Sequence, residues 1–100
     1  MIDWQALEGF EWEAGNARES ELKHAVSPGE AEQVFFNQPV IVSADVVHSG
    51  REPRWHALGV TDAGRLLHAT FTLRAAGRLI RVISARDMHR KERAVYAQTR

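Results

Sequence analysis

Three connectors too short for a crossover constrain this chain more than any other feature. Residues 40–47 (VIVSADVV), 54–60 (RWHALGV), 66–73 (LLHATFTL) and 79–84 (LIRVIS) carry the alternating or β-branched apolar pattern of strands. Between them lie HSGREP (48–53), TDAGR (61–65) and RAAGR (74–78), each with the glycine that a tight reversal favours. A parallel pair would need a crossover of about a dozen residues or more, so the four strands form an antiparallel meander.

Upstream the period is helical. Residues 13–26 (EAGNARESELKHAV) predict a helix with Ala17, Leu22, Ala25 and Val26 on one apolar stripe. At 27–30 (SPGE) a second helix starts: Ser27 can cap, Pro28 suits the first helical position, and Glu30 stands where a capping box needs it. Ala31, Val34 and Phe35 then face inward, and NQP (37–39) ends the element. GFEW (9–12) reads as one short edge strand, and Asp87 as the cap of a last helix running to about Gln98. The expected fold is α+β: a short N-terminal strand, two helices, a four-stranded antiparallel meander and a C-terminal helix, one domain over 9–98 behind a dispensable extension, 1–8. No apolar run approaches a membrane span and there is no cysteine, so the expectation is a cytoplasmic domain.

A loop centred on 62–64 sets the register of the two middle strands. Arg54, His56 and Leu58 then share a face with His68, Thr70 and Thr72, while Trp55 and Ala57 share the other with Leu67, Ala69 and Phe71. One face is apolar and receives helices; the other is polar and basic. Ile80 and Val82 belong on the apolar face, which puts Arg81 on the polar one beside Arg54 if the RAAGR turn supplies a one-residue bulge. Otherwise Arg81 is an exposed edge charge.

The formal charge of zero hides an asymmetry. Residues 1–50 carry nine acids and two bases, a net of −7, and residues 51–100 carry eleven Lys/Arg and four acids, a net of +7. Such a split suits a polyanion partner for the basic half, or else self-neutralisation between halves. On the last helix Arg86 (if included), Arg90, Arg93 and Ala97 cluster opposite Met88 and Val95, a basic ridge rich in the planar fork that suits phosphate. The five histidines lack metal-ligand spacing, so no metal or other cofactor is expected. No Ser-His-Asp arrangement or phosphate-cradling glycine loop is legible.

Several segments together resemble the BrnT toxins: FEW (10–12), KHAVS (23–27), EAEQVF (30–35), PRWHALG (53–59) and RVISARDMHRKERAVY (81–96). The resemblance covers about residues 9–97. It implies a RelE-like fold and a ribonuclease of a bacterial type II toxin–antitoxin pair, cutting RNA without metal through attack of a ribose 2′-hydroxyl. Carried over by motif, the catalytic candidates are Lys23, His24, Arg54, Arg81 and Tyr96, with Arg54 and Arg81 meeting transition-state charge. Arg86, Arg90, Arg93, His56 and His68 are the RNA-binding candidates. The implied partners are RNA and a BrnA-like antitoxin encoded next door, with DNA reached only through that antitoxin. Where the family has Asn before the Lys-His pair and Gly after it, this chain has Ser20 and Ala25, so the first helix is expected to end differently. The competing reading is a non-catalytic RelE-like binding module within a DNA-bound repressor complex.

Overall fold

The computed structural model describes residues 2–99; Met1, the start of the expected extension, lies outside the described residues. In order, the elements are β1 (Gly9–Glu11), α1 (Ala14–His24), α2 (Pro28–Phe36), β2 (Ile41–Ala44), β3 (Trp55–Val60), β4 (Leu66–Arg74), β5 (Leu79–Asp87) and α3 (Arg90–Ala97). The meander β2-β3-β4-β5 forms as its connectors require. The sheet is nevertheless mixed and five-stranded, in the order β1-β5-β4-β3-β2, because β1 docks parallel on β5 with Phe10 opposite Ile80. Chain length explains the exception: two helices and three strands separate β1 from its partner, so a parallel pairing is open to it.

The middle register agrees with the sequence: Trp55 faces Phe71, His56 faces Thr70 and Ala57 faces Ala69. The bulge exists, but inside the β4–β5 ladder and not in the RAAGR turn. Phe71 pairs with Val82 and Thr70 with Ser84, leaving Ile83 as the extra residue. Past the bulge the strand keeps its partners as far as Asp87, so Arg86 and Asp87 belong to β5. Asp87 therefore does not cap the last helix. His89 takes that position, and the Glu92 carboxylate accepts its backbone N–H at 2.7 Å.

Ser27 and Glu30 form the expected capping box at the start of α2, with reciprocal bonds of 3.2 and 3.0 Å. Ala31 and Val34 of that helix are fully buried against Ala57, Leu67, Ala69, Phe71 and Val82 of the sheet. Gly59 makes the approach possible, since a Cβ there would lie 2.6 Å from Val34 Cγ1. Phe35 and Trp55 pack on Phe71 at ring separations of 5.0 and 5.8 Å, closing the core. The expected stripe on α1 does not form. Leu22 is 78% exposed, and the helix buries Ser20, whose hydroxyl accepts the Ala85 N–H at 3.1 Å where β5 runs past the end of β1. The segment before β1 is tied down: Ile2 and Leu7 pack on the core, and the Glu8 N–H donates to Arg78 O at 2.7 Å.

Arg65 joins the layers. Its guanidinium donates to the carboxylates of Asp87 (2.7 Å) and Glu30 (3.2 Å) and to the terminal carbonyls of α1 at Ala25 (2.8 Å) and His24 (3.0 Å). These contacts hold Ala25 in the left-handed conformation, φ 53°, so α1 ends with the reversal that glycine usually supplies. We expect Ala25→Gly to raise stability by about 0.5–1 kcal/mol, because the Cβ strain disappears and the capping bonds stay. Equilibrium denaturation compared with the parent checks this; a loss of stability would show that Ala25 is unstrained.

Candidate functional site

The bulge puts Arg81 and Arg86 on the same face of the sheet although their numbers differ by an odd count. Before it Arg81 stands opposite Thr72, and after it Arg86 stands opposite His68. Both therefore share the polar face with Arg54, His56 and Thr70, which divides into a roofed end and an open end.

The roof is α3. Glu92 in its first turn receives the Arg86 fork at 2.8 and 3.0 Å and lies 3.9 Å from His68 Nε2. His68 is buried beneath, with no hydrogen-bond partner for Nδ1 among the described residues. Burial and the nearby Arg86 charge lower its pKa from 6.5 to about 4, so it is a neutral imidazole at pH 7. The Arg86 hydrogen bonds, working against burial, lower the Glu92 pKa from 4.5 to about 2. Tyr96 is 1% exposed and its hydroxyl donates to Pro39 O at 2.7 Å, anchoring the far end of α3. Tyr96 thus sits in the interior and away from the open face. Of the helix arginines, Arg90 is exposed, and Arg93 donates to Met88 O at 2.7 Å.

At the open end Arg54 and Arg81 line one depression together with Arg74, Glu13, Glu52, Asn16 and Ile83. Arg81 contacts Glu13 at 2.6 Å and Glu11 at 3.7 Å, and Arg74 contacts Glu52 at 3.2 Å and Glu11 at 3.9 Å. The Arg54 guanidinium has no hydrogen-bond or ion-pair partner among the described residues. Arg74 escapes a reading based on motifs, although its even number, matching Thr72 and Thr70, places it on the polar face.

Between the two ends His56 stacks obliquely on His68, with ring centroids 4.8 Å apart. Its Nε2 lies 3.2 Å from Asp45 Oδ2 and its Nδ1 3.2 Å from Thr70 Oγ1. Asp45 also receives the backbone N–H of His48 at 3.1 Å and the His48 ring. Burial pushes the Asp45 pKa up, but those His48 bonds and the charge of His56 outweigh it, leaving the carboxyl below its usual range. The sequence reading missed this Asp-His-Thr set because it fixed no register between 40–47 and 54–60. Asp45 follows the last residue of β2, donates its N–H to Arg54 O at 2.8 Å and buries its carboxylate on the face shared by Ser43 and His56.

Lys23 and His24 lie elsewhere, around a second depression with Arg86, Asp87 and His89 at the end of α1. Lys23 there pairs with Glu19 at 3.0 Å. Among the described residues no group of three His, Asp or Glu side chains has metal-holding geometry, and no helix is long and apolar enough to cross a membrane.

Residues 12–92 match the family model described as the ribonuclease toxin BrnT of type II toxin–antitoxin systems. Among solved structures, the 1.1 Å crystal structure of the Brucella abortus ribonuclease toxin BrnT resembles this one with a TM-score of 0.63. The match covers 82% of this chain and 97% of that one at 15% identity, a likeness of fold. No curated protein matches the chain.

His68 gives stability a pH dependence of definite sign. The unfolded chain takes up a proton there that the folded chain refuses, so the contribution is complete above about pH 6.5 and fades as the pH falls to about 4. The loss is up to about 3 kcal/mol over that interval. His68→Leu should flatten the slope between those values while the further loss below about pH 4.5, carried by Glu92, persists. Denaturant midpoints measured across the range check this; an unchanged slope in His68→Leu would contradict it.

Proposed function

The chain belongs to the BrnT family of ribonuclease toxins from type II toxin–antitoxin systems, and we propose that it cuts RNA without a metal ion, by 2′-hydroxyl attack at the open end of its sheet. The observation that carries this reading is the convergence of Arg54, Arg74 and Arg81 on one depression, with the Arg54 fork unpartnered among the described residues. A phosphorane gathers negative charge on its non-bridging oxygens, and fixed guanidinium groups stabilise that charge without reorganising.

Arg54 and Arg81 meet the transition state, Arg74 supports them from β4, and Arg90 and Arg93 track the flanking phosphates, while the Arg86 fork is held by Glu92 and fixes the roof. His56 and His68 lie on the same face. Lys23, His24 and Tyr96 contribute less directly, the first two from the second depression and Tyr96 by fixing α3. The sheet is used in the RelE-like manner, in the cytoplasm. A BrnA-like antitoxin encoded beside the gene blocks the face, and DNA is reached only through that antitoxin. The Glu11, Glu13 and Glu52 carboxylates around Arg74 and Arg81 also speak for a second reading, in which the depression binds without cutting.

Purified protein should cleave single-stranded RNA in EDTA and leave DNA of the same sequence intact, since the attack needs the 2′-hydroxyl. Cleavage abolished by chelator and restored by a divalent ion would overturn the mechanism, and RNA binding without cleavage would favour the second reading.

The two leading arginines should separate in a paired measurement. Arg54→Ala should lower single-turnover cleavage by about 10²–10³-fold with an unchanged melting temperature, because its side chain holds no protein partner. Arg81→Ala should lower cleavage comparably and also reduce stability by about 0.5–1 kcal/mol, because its loss breaks the pair with Glu13. Full activity in Arg54→Ala would move the reacting phosphate away from this depression.

A further inference from the structure

Cleavage through a 2′-hydroxyl needs a group that removes its proton, and arginine, always protonated, cannot do so. On the polar face, two residues beyond Arg54 in sequence, stands His56, a partly open imidazole with a carboxylate 3.2 Å from Nε2 and a threonine hydroxyl 3.2 Å from Nδ1. The His56 side chain is 33% exposed, while the carboxylate holding it, Asp45, is 7% exposed. Asp45 is itself fixed: its backbone N–H donates to Arg54 O at 2.8 Å, and Ser49 Oγ donates to its carbonyl. An ionised carboxylate only accepts, so its charge 3.2 Å from Nε2 favours the tautomer that carries the hydrogen there. The lone pair is left on Nδ1, where the Thr70 hydroxyl meets it at 3.2 Å.

We propose that Thr70, His56 and Asp45 form the proton relay for RNA cleavage at this face, with His56 as the acceptor and Asp45 as its positioning residue. The proposal rests on the ribonuclease reading above. The 2′-oxygen forms its bond to phosphorus as its proton passes to Thr70 Oγ1, whose own proton moves to His56 Nδ1. The bond from phosphorus to the 5′-oxygen breaks, and that oxygen takes a proton from water. The products are a 2′,3′-cyclic phosphate and a 5′-hydroxyl, and the imidazolium returns its proton to solvent.

The charges around His56 suit the task. Asp45 faces it from the segment after β2 and is shared with His48; Arg54 stands two residues before it, just ahead of β3. From β4 comes His68, behind which stand Arg86 of β5 and Glu92 of α3, mutually paired. The imidazolium formed in the reaction therefore meets the Asp45 carboxylate on one side and a neutral imidazole on the other.

The test is single-turnover cleavage of a short single-stranded RNA from about pH 5 to 9, with melting temperature and RNA affinity measured on the same preparations. His56→Gln should lose about 10²–10⁴-fold in rate, far more than any loss of RNA affinity, and the rising limb of the wild-type pH profile should vanish. Added imidazole should restore part of the rate to His56→Ala. Asp45→Asn should slow cleavage and displace the rising limb, while Thr70→Val should slow cleavage with little change in fold. A wild-type rate and profile in His56→Gln overturns the relay, as does a rate loss that keeps the rising limb and tracks lost affinity or stability. Should His56→Gln fail to fold, a wild-type rate in Thr70→Val overturns it equally. Wild-type protein that cleaves no RNA overturns the ribonuclease reading together with the relay, whereas cleavage by wild type and His56→Gln alike overturns the relay alone.

Discussion

Ile83 is the residue on which the arrangement of the sheet depends. A strand alternates its side chains strictly, so an unbulged β5 would send either Arg81 or Arg86 to the apolar face along with its neighbours. Inserting one unpaired residue between Val82 and Ser84 resets the alternation. Ile80 and Val82 then face the core from one side of the bulge and Ala85 from the other, all three buried. The arginines at 81 and 86 emerge together on the opposite face. The same bulge lies beside the end of β1, where β5 loses its outer neighbour, and the Ser20 hydroxyl there takes over the Ala85 N–H. A buried N–H without a partner would cost about 1–3 kcal/mol, so α1 supplies a bond that the sheet cannot.

The charge asymmetry between the halves of the chain resolves residue by residue. Arg65, Arg74 and Arg81 draw on Glu30, Glu11 and Glu13, acids of the first half, and these pairs tie β4 and β5 to α2, to β1 and to the start of α1. To that extent the basic half is neutralised by the acidic one. Arg54 and Arg90 are different: among the described residues neither has an acidic partner, and exposed or half-exposed guanidinium groups left in this state remain available to phosphate. A single chain thus uses some of its arginines to join layers and leaves others without an acidic partner among the described residues, and net charge cannot tell these apart.

How much of this was legible follows from the range of the forces involved. Short connectors, the β3–β4 register and the capping box of α2 are decided within about 20 residues, and Trp55–Phe71 and Ser27–Glu30 stand as the pattern required. The parallel pairing of β1, the exposure of Leu22 and the extension of β5 through Asp87 are decided by elements far apart in sequence. Asp87 illustrates the competition. As a helix cap it would satisfy one or two backbone groups, whereas as the last residue of β5 it receives the Arg65 fork and keeps its ladder partner Leu67. In the candidate site the arginines were readable from residue type and parity. The Asp45–His56 contact was not, since it depends on the register of β2 against β3, which the connection between them leaves open in the sequence.

The unequal ends of the polar face then have a common cause. Glu92 binds the first turn of α3, the Arg86 fork and, more distantly, His68, so one carboxylate holds the roof on that end of the sheet. Because His68 is neutral beneath it, the roof is held by the arginine pair and not by the histidine. The opposite end is bordered by the first turn of α1, through Asn16, and by acids whose side chains are about half exposed, Glu13 at 53% and Glu52 at 39%. An incoming phosphate competes there with carboxylates more exposed than Glu92, which is 24% exposed, so displacing them costs less than breaking the Arg86–Glu92 pair. On the reading proposed above, substrate is therefore directed to Arg54, Arg74 and Arg81, and His56, between that depression and the roof, is the acceptor of the proposed relay.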